Sequence, residues 1–221
     1  MTRHKVPEFA TFASLLRMAA KYGFSDVREA LVEDLKGAYP TKWEDFKTAR
    51  VLGEDVFGSL KPHPNAVLNL FLEQNIKFAL PFAAYRACLG GFPSLVSDRP
   101  GTVLPRLALI SIIHGMGAMN RLTMLVAHGV VYMRDLGVCP DRLCVLNTGI
   151  ESAARRGVLK EIFSSMYRRS ERDMLSPSLE GNVPVCMNCA DRLENLHHTH
   201  CEELVWEALP VLLGWGSWEG V

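Results

Sequence analysis

Apolar residues in this chain recur every three or four positions, and glycine or proline closes most of the runs. That spacing is the period of an α-helix with one buried face. In FATFASLLRMAAKYG the apolar positions are Phe9, Phe12, Leu15, Leu16 and Ala19. Gly23 ends the run, as glycine does where a chain must enter the left-handed region. Ser25 or Asp26 caps SDVREALVEDLKGAYP, whose Val27, Ala30, Leu31 and Leu35 form an inner stripe that Pro40 terminates. Thr41 caps TKWEDFKTARVL, with Trp43 and Phe46 inward. NAVLNLFLEQN and ALPFAAYRACLGG follow. Pro81 fits the first turn of the second, where its missing N–H leaves no helical bond unmade.

The most apolar stretch is LPRLALISIIHGMGAMNRLTMLVAHGVVYM. It reads as two buried helices between Leu104 and Met133, parted near the Gly115–Gly117 step. Pro140 marks another start, with Asp141 in the first turn of a helix running past Ala154. VLGEDVFGSLKPHP and GGFPSLVSDRPGTVLP are dense in Gly, Pro and Ser and read as loops. No run alternates at the strand period for more than a few residues. The expectation is an all-α fold, an irregular helical domain of about eight to ten helices. Residues 1–50 form a first helical group, and residues 51–221 form a helical C-terminal region packed with it as one domain.

Charge narrows the function classes. Lys plus Arg and Asp plus Glu number 24 each, so there is no basic excess to displace the counterions of nucleic acid. Arg155, Arg156, Arg168, Arg169 and Arg172 make a local basic patch, and solvated helix surface accounts for it. Arg106, His114, Asn120, Arg121 and His128 interrupt the apolar stretch, so no membrane span is expected. The first residues carry no secretory pattern, and the six cysteines are scattered. Reduced thiols in a cytoplasmic or nuclear protein are the expectation.

Two segments carry a resemblance. LLRMAAKYGFSDVREALVEDLKGAYPTKWEDF holds a leucine-rich helix with a Lys-Tyr end, an Arg-bearing second helix, and a Tyr-Pro-Thr stop before Trp43. Near the C-terminus, Cys186 and Cys189 form a C-x-x-C pair, followed by a long helix and the Trp206, Leu209, Pro210 ending. Both resemble the C-terminal helical region of BTB/POZ-domain proteins of mushroom-forming fungi, the helices that follow the BTB core. The sequence holds no counterpart of the core itself. The resemblance implies a protein–protein interaction role, with a BTB core or a ubiquitin-ligase component among the partners. Phe9, Phe12, Leu15 and Leu16 would then be exposed apolar contact residues.

VCMNCADRLENLHHTHCEELVWEALP is the richest stretch in potential ligands. Cys186, Cys189, His197 and Cys201 make a four-ligand zinc set on paper. A helix starting near Asn188 opposes it, because Cys189 and His197 would lie about 12 Å apart along the axis. Ligands of one zinc lie about 4 Å from each other. The helical wheel places Cys189, Leu193, Leu196, His200, Leu204 and Ala208 on one stripe, with His197 and Cys201 at its edge. Packing explains the sulfur and imidazole there; zinc or thiol-redox use of the C-x-x-C pair is the alternative.

Ser111 and His114 share a helix face without a nucleophile elbow, and His114 and His128 read as core histidines. Trp206, Trp215 and Trp218 read as a terminal aromatic clasp. The sequence therefore points to a non-enzymatic, adaptor-like helical protein with other proteins as partners and no cofactor. A small zinc-binding or thiol-redox protein is the alternative.

Overall fold

A computed structural model describes residues 8–46, 57, 62–132, 139–142, 144, 147, 186–189, 191, 192, 195 and 205–219. Every regular element among them is helical, and no strand occurs among the described residues. The expected all-α class is what the chain adopts. It divides into two compact units, Met1–Met116 with Leu209–Val221, and Gly117–Ala208. The first fifty residues thus share a unit with both the following helices and the C-terminus.

In the first unit, α1 spans Phe9–Tyr22 and α2 spans Ser25–Lys36. Gly23 joins them at φ 71°, the left-handed conformation that its position required. The Phe24 N–H reaches back to the Ala19 carbonyl at 2.9 Å, closing the helix end. α1 buries Phe12, Ala13, Leu16 and Ala19. α2 buries only Leu31 and Leu35, so Val27 and Ala30 drop out of the expected inner stripe. Residues 43–46 are helical, with Trp43 and Phe46 buried as expected.

α3 spans Pro64–Glu73 and α4 spans Leu80–Leu89, linked by a 3-10 turn at Lys77–Ala79. Pro81 sits in the first turn of α4, the position its chemistry tolerates. α3 packs on α4, and α1 on α2. An aromatic cluster fills the core. Phe71 of α3 meets Tyr39 edge-on at 4.8 Å, Phe82 of α4 meets Phe46 edge-on at 5.6 Å, and Phe46 stacks on Trp43 at 5.2 Å. Phe57 packs on α1, edge-on to Phe9 and Phe12. Arg17 of α1 grips Glu73 of α3 through a bidentate pair at 2.7–3.0 Å.

The stretch between α4 and the long helix is more ordered than a loop. A short helix, α5, spans Gly91–Leu95. Asn65 of α3 holds the segment down, donating from Nδ2 to the carbonyls of Ser94, Leu95 and Thr102.

α6 runs unbroken over Arg106–Tyr132, which corrects the expected pair of helices parted near Gly115. The physical reason is packing. A Cβ at Gly115 would lie 2.7 Å from the Leu212 carbonyl and 2.7 Å from Leu213 Cδ2. Glycine is therefore present to admit a neighbouring backbone, and not to end a helix. Leu213 follows α7, Glu207–Leu212, and is fully buried. Gly214 and Gly216 then turn the chain at positive φ, and Trp215 donates its N–H to the Pro210 carbonyl at 2.8 Å. Among the described residues no helix is long and apolar enough to cross a membrane.

Candidate metal centre

Two short cysteine pairs meet in the second unit. The first pair lies in CPDRLC. Residues 139–142 are not helical, so the helix expected from Pro140 does not start there; apart from Cys144 and Asn147 the rest of its expected span lies outside the described residues. The chain instead turns tightly. Cys144 donates its N–H to the Asp141 carbonyl at 3.1 Å, and Asn147 donates its N–H to the Cys144 carbonyl at 3.0 Å. Asn147 Nδ2 also ties down the Cys139 carbonyl at 2.6 Å. The turn brings both sulfurs to one side, with the Asp141 N–H directed at Cys139 Sγ at 3.4 Å.

The second pair lies in CMNC. Residues 187–189 are helical, so Cys186 occupies the N-cap position and Cys189 the third helical position. At an N-cap the side chain ordinarily accepts from a backbone N–H two or three residues on. Here the Cys189 N–H does this to the Cys186 sulfur, and it is the leading reason that the Cys186 thiol sits below its ordinary value. Across the pairs, the Cys186 N–H donates to Cys144 Sγ at 3.4 Å.

The four Sγ atoms of Cys139, Cys144, Cys186 and Cys189 all lie within 4.8 Å of one another. Cys139 and Cys186 stand at 3.5 Å. A tetrahedral zinc with bonds of about 2.3 Å spaces its sulfurs at about 3.8 Å. The 3.5 Å contact is within about 0.3 Å of that spacing, and no pair exceeds it by more than about 1 Å. Cys139, Cys144 and Cys189 are buried, and Cys186 is partly exposed. All four are free thiols.

Electrostatics fits a cation. Burial pushes the Cys139 and Cys189 thiols up, because a thiolate is poorly solvated there. A bound divalent ion reverses that balance and deprotonates its thiols outright. Three backbone N–H groups, those of Asp141, Cys186 and Cys189, already point at the sulfurs that would then be anionic. Cys88 is the internal contrast. It is buried in the first unit, its thiol is pushed up to about 12 by desolvation, and among the described residues it belongs to no such group.

Of the alternative ligand set Cys186, Cys189, His197 and Cys201, two members fall in this cluster. Cys186 and Cys189 are in the cluster, but their partners are Cys139 and Cys144, from a segment 42 to 50 positions earlier. His197 and Cys201 lie outside the described residues. Residues 191, 192 and 195 are helical. The signal that could have found the missing ligands is the C-x4-C spacing in CPDRLC, a second short pair matching C-x-x-C.

Of the expected contact residues, Phe12 and Leu16 are fully buried and Phe9 is half-buried. They serve the core of α1, and only Leu15 is exposed. On this hairpin the other large apolar residues that face outward are Met18 and Tyr22, at helical spacing from Leu15, with Phe24 and Val27 following. His114 is exposed, which corrects its core reading. The side chain of His128 and the five patch arginines lie outside the described residues.

One further Ser–His pair is wrongly poised for catalysis. His63 Nδ1 accepts the Asn65 N–H at 3.3 Å, which leaves the neutral ring's proton on Nε2. Nε2 lies 3.4 Å from Ser94 Oγ. A protonated nitrogen facing the hydroxyl cannot take its proton. No family model, curated protein or solved structure matches this chain.

Proposed function

We propose that this chain is a non-enzymatic helical protein whose second unit is clasped by one zinc ion bound to Cys139, Cys144, Cys186 and Cys189. The observation that carries the reading is the mutual approach of four sulfurs within 4.8 Å from two distant segments. Two buried thiols in contact are ordinary packing; four around one point match the shape of a thiolate-seeking, tetrahedral ion. Four protein ligands close the coordination sphere and leave no position for water or substrate, so the ion's role is structural. Zinc is the favoured occupant because it tolerates a purely thiolate tetrahedron without redox chemistry.

Elemental analysis of the purified chain tests this. One zinc per chain is expected, with cobalt substitution giving the thiolate charge-transfer and tetrahedral d–d absorption of a four-sulfur site. Cys139→Ser and Cys144→Ser should each lose the ion, while His197→Ala keeps it. Stoichiometric zinc surviving in the Cys139→Ser, Cys144→Ser double variant would overturn the assignment, as would a chain that binds none.

A second reading concerns partners, and the exposed apolar side chains of Leu15, Met18, Tyr22, Phe24 and Val27 favour it. Their α1–α2 hairpin is also the segment that resembles the helices after a fungal BTB core. On this reading the chain is an adaptor of the cytoplasm or nucleus, and the hairpin docks a protein such as a BTB core or a ubiquitin-ligase component. Calorimetry with a recombinant BTB core from a mushroom-forming fungus should show binding that Met18→Glu with Tyr22→Glu weakens at least tenfold. Absence of binding by the parent chain ends this part of the proposal and leaves the metal site untouched.

A further inference from the structure

We infer that the four-sulfur site is a peroxide-responsive clasp, in which oxidation expels the ion and joins Cys186 to Cys139. The inference rests on the metal reading above. Two features of the cluster carry it. Cys186 is the partly exposed residue of the four, whereas Cys139, Cys144 and Cys189 are buried. A small oxidant arriving from solvent therefore meets Cys186 first. Cys186 Sγ faces Cys139 Sγ at 3.5 Å, from the other segment of the site.

The chemistry balances with a hydroperoxide as the oxidant. The Cys186 thiolate attacks one peroxide oxygen, forming a sulfenic acid and releasing hydroxide. The Cys139 thiolate then attacks that sulfur, forming the S–S bond and releasing a second hydroxide. Two sulfurs have each lost one electron, and the peroxide has taken both. Cys144 and Cys189 remain as the ion's only cysteine ligands in the site, and two thiolates hold zinc far less tightly than four.

The rival product is a Cys186–Cys189 disulfide within the C-x-x-C pair. The two outcomes differ in what they leave behind. A Cys186–Cys189 bond would sever the connection between the two segments that the ion had held. A Cys139–Cys186 bond replaces the ion with a covalent link across the same junction, spanning 47 positions. Closing the longer loop restricts the unfolded chain more, by about 40-fold as an equilibrium factor in the chain-entropy picture. The oxidised second unit thus keeps its closure after the zinc has gone, and the chain exchanges one clasp for another.

The experiment uses the full, reduced, zinc-loaded chain. Hydrogen peroxide is added in increments, zinc release is followed with a chromogenic chelator, and the same samples are mapped as non-reduced peptides. The expected result is one zinc released per peroxide consumed, with the Cys139–Cys186 linkage as the main product, reversed by thiol reductant and zinc. Cys88→Ala should release zinc at the parental rate, and Cys186→Ser at least tenfold more slowly. If Cys186→Ser fails to hold zinc, the peptide map of the parent chain decides alone. Zinc retained while peroxide is consumed, or a main disulfide of Cys186–Cys189 or Cys139–Cys144, overturns the inference while leaving the metal site intact. Zinc content before peroxide separates the two claims: a chain that binds no zinc fails the metal reading, and the clasp with it.

Discussion

Gly115 and Gly117 lie two residues apart in α6, yet alanine should stabilise the helix at Gly117 and not at Gly115. In a helix interior, Gly→Ala gains about 1 kcal/mol by restricting the unfolded backbone. At Gly117 no described atom lies within 4 Å of an added Cβ, so that gain should appear nearly whole. At Gly115 the added methyl would meet the Leu212 carbonyl oxygen at 2.7 Å, Leu213 Cδ2 at 2.7 Å and Leu213 Cα at 3.2 Å. Two of those atoms are backbone and cannot rotate aside, and Leu213 has no exposed surface into which to retreat. Overpacking of this kind costs about 1–3 kcal/mol. The propensity gain is common to both sites, so the difference between the variants isolates the packing cost. Gly117→Ala should stabilise α6 by up to about 1 kcal/mol, and Gly115→Ala should lie about 1–3 kcal/mol below it. Native-state amide exchange over Arg106–Tyr132 reads this directly, as a roughly five- to 150-fold difference in protection between the two variants. Equal protection in both would refute the close approach of the Leu212–Leu213 turn to α6.

Asn65 and the Arg17–Glu73 pair give two further tests. Asn65 is fully buried, and its Nδ2 serves the Ser94, Leu95 and Thr102 carbonyls at 2.9, 3.3 and 3.1 Å. Asn65→Leu leaves those acceptors without their donor and should cost about 2–4 kcal/mol in urea unfolding; a change below about 0.5 kcal/mol would contradict the network. The bidentate bond from Arg17 holds the Glu73 carboxyl below its ordinary value of 4.5. Between the folded value and 4.5 the unfolded chain binds more protons, so the pair's stabilisation is complete above that window and drains away as pH falls through it. Both side chains are about half-exposed, which limits the effect to about 0.2–1 kcal/mol. Glu73→Gln should remove that acid-side loss; an unchanged pH dependence of unfolding below 4.5 would count against the pairing.

Local chemistry is what the sequence carries most directly. The turns of α1 and α2, the left-handed Gly23 between them, the burial of Trp43 and Phe46, and the place of Pro81 in α4 all follow from side chains within a few residues of one another. Each is a matter of helical period or of one unsatisfied backbone group, so each can be read along the chain. What only tertiary structure decided depends on partners remote in sequence. Gly115 reads as a break until Leu212 and Leu213 arrive to use its missing side chain. Phe12 and Leu16 cannot be told from a docking stripe until Phe57 covers α1. Cys186 and Cys189 point toward their own helix in the sequence, whereas their sulfur neighbours come from a turn 42 to 50 positions away. A helix records its own period in every residue. A ligand set brought together by chain folding leaves no periodic trace, because the distance that matters is through space.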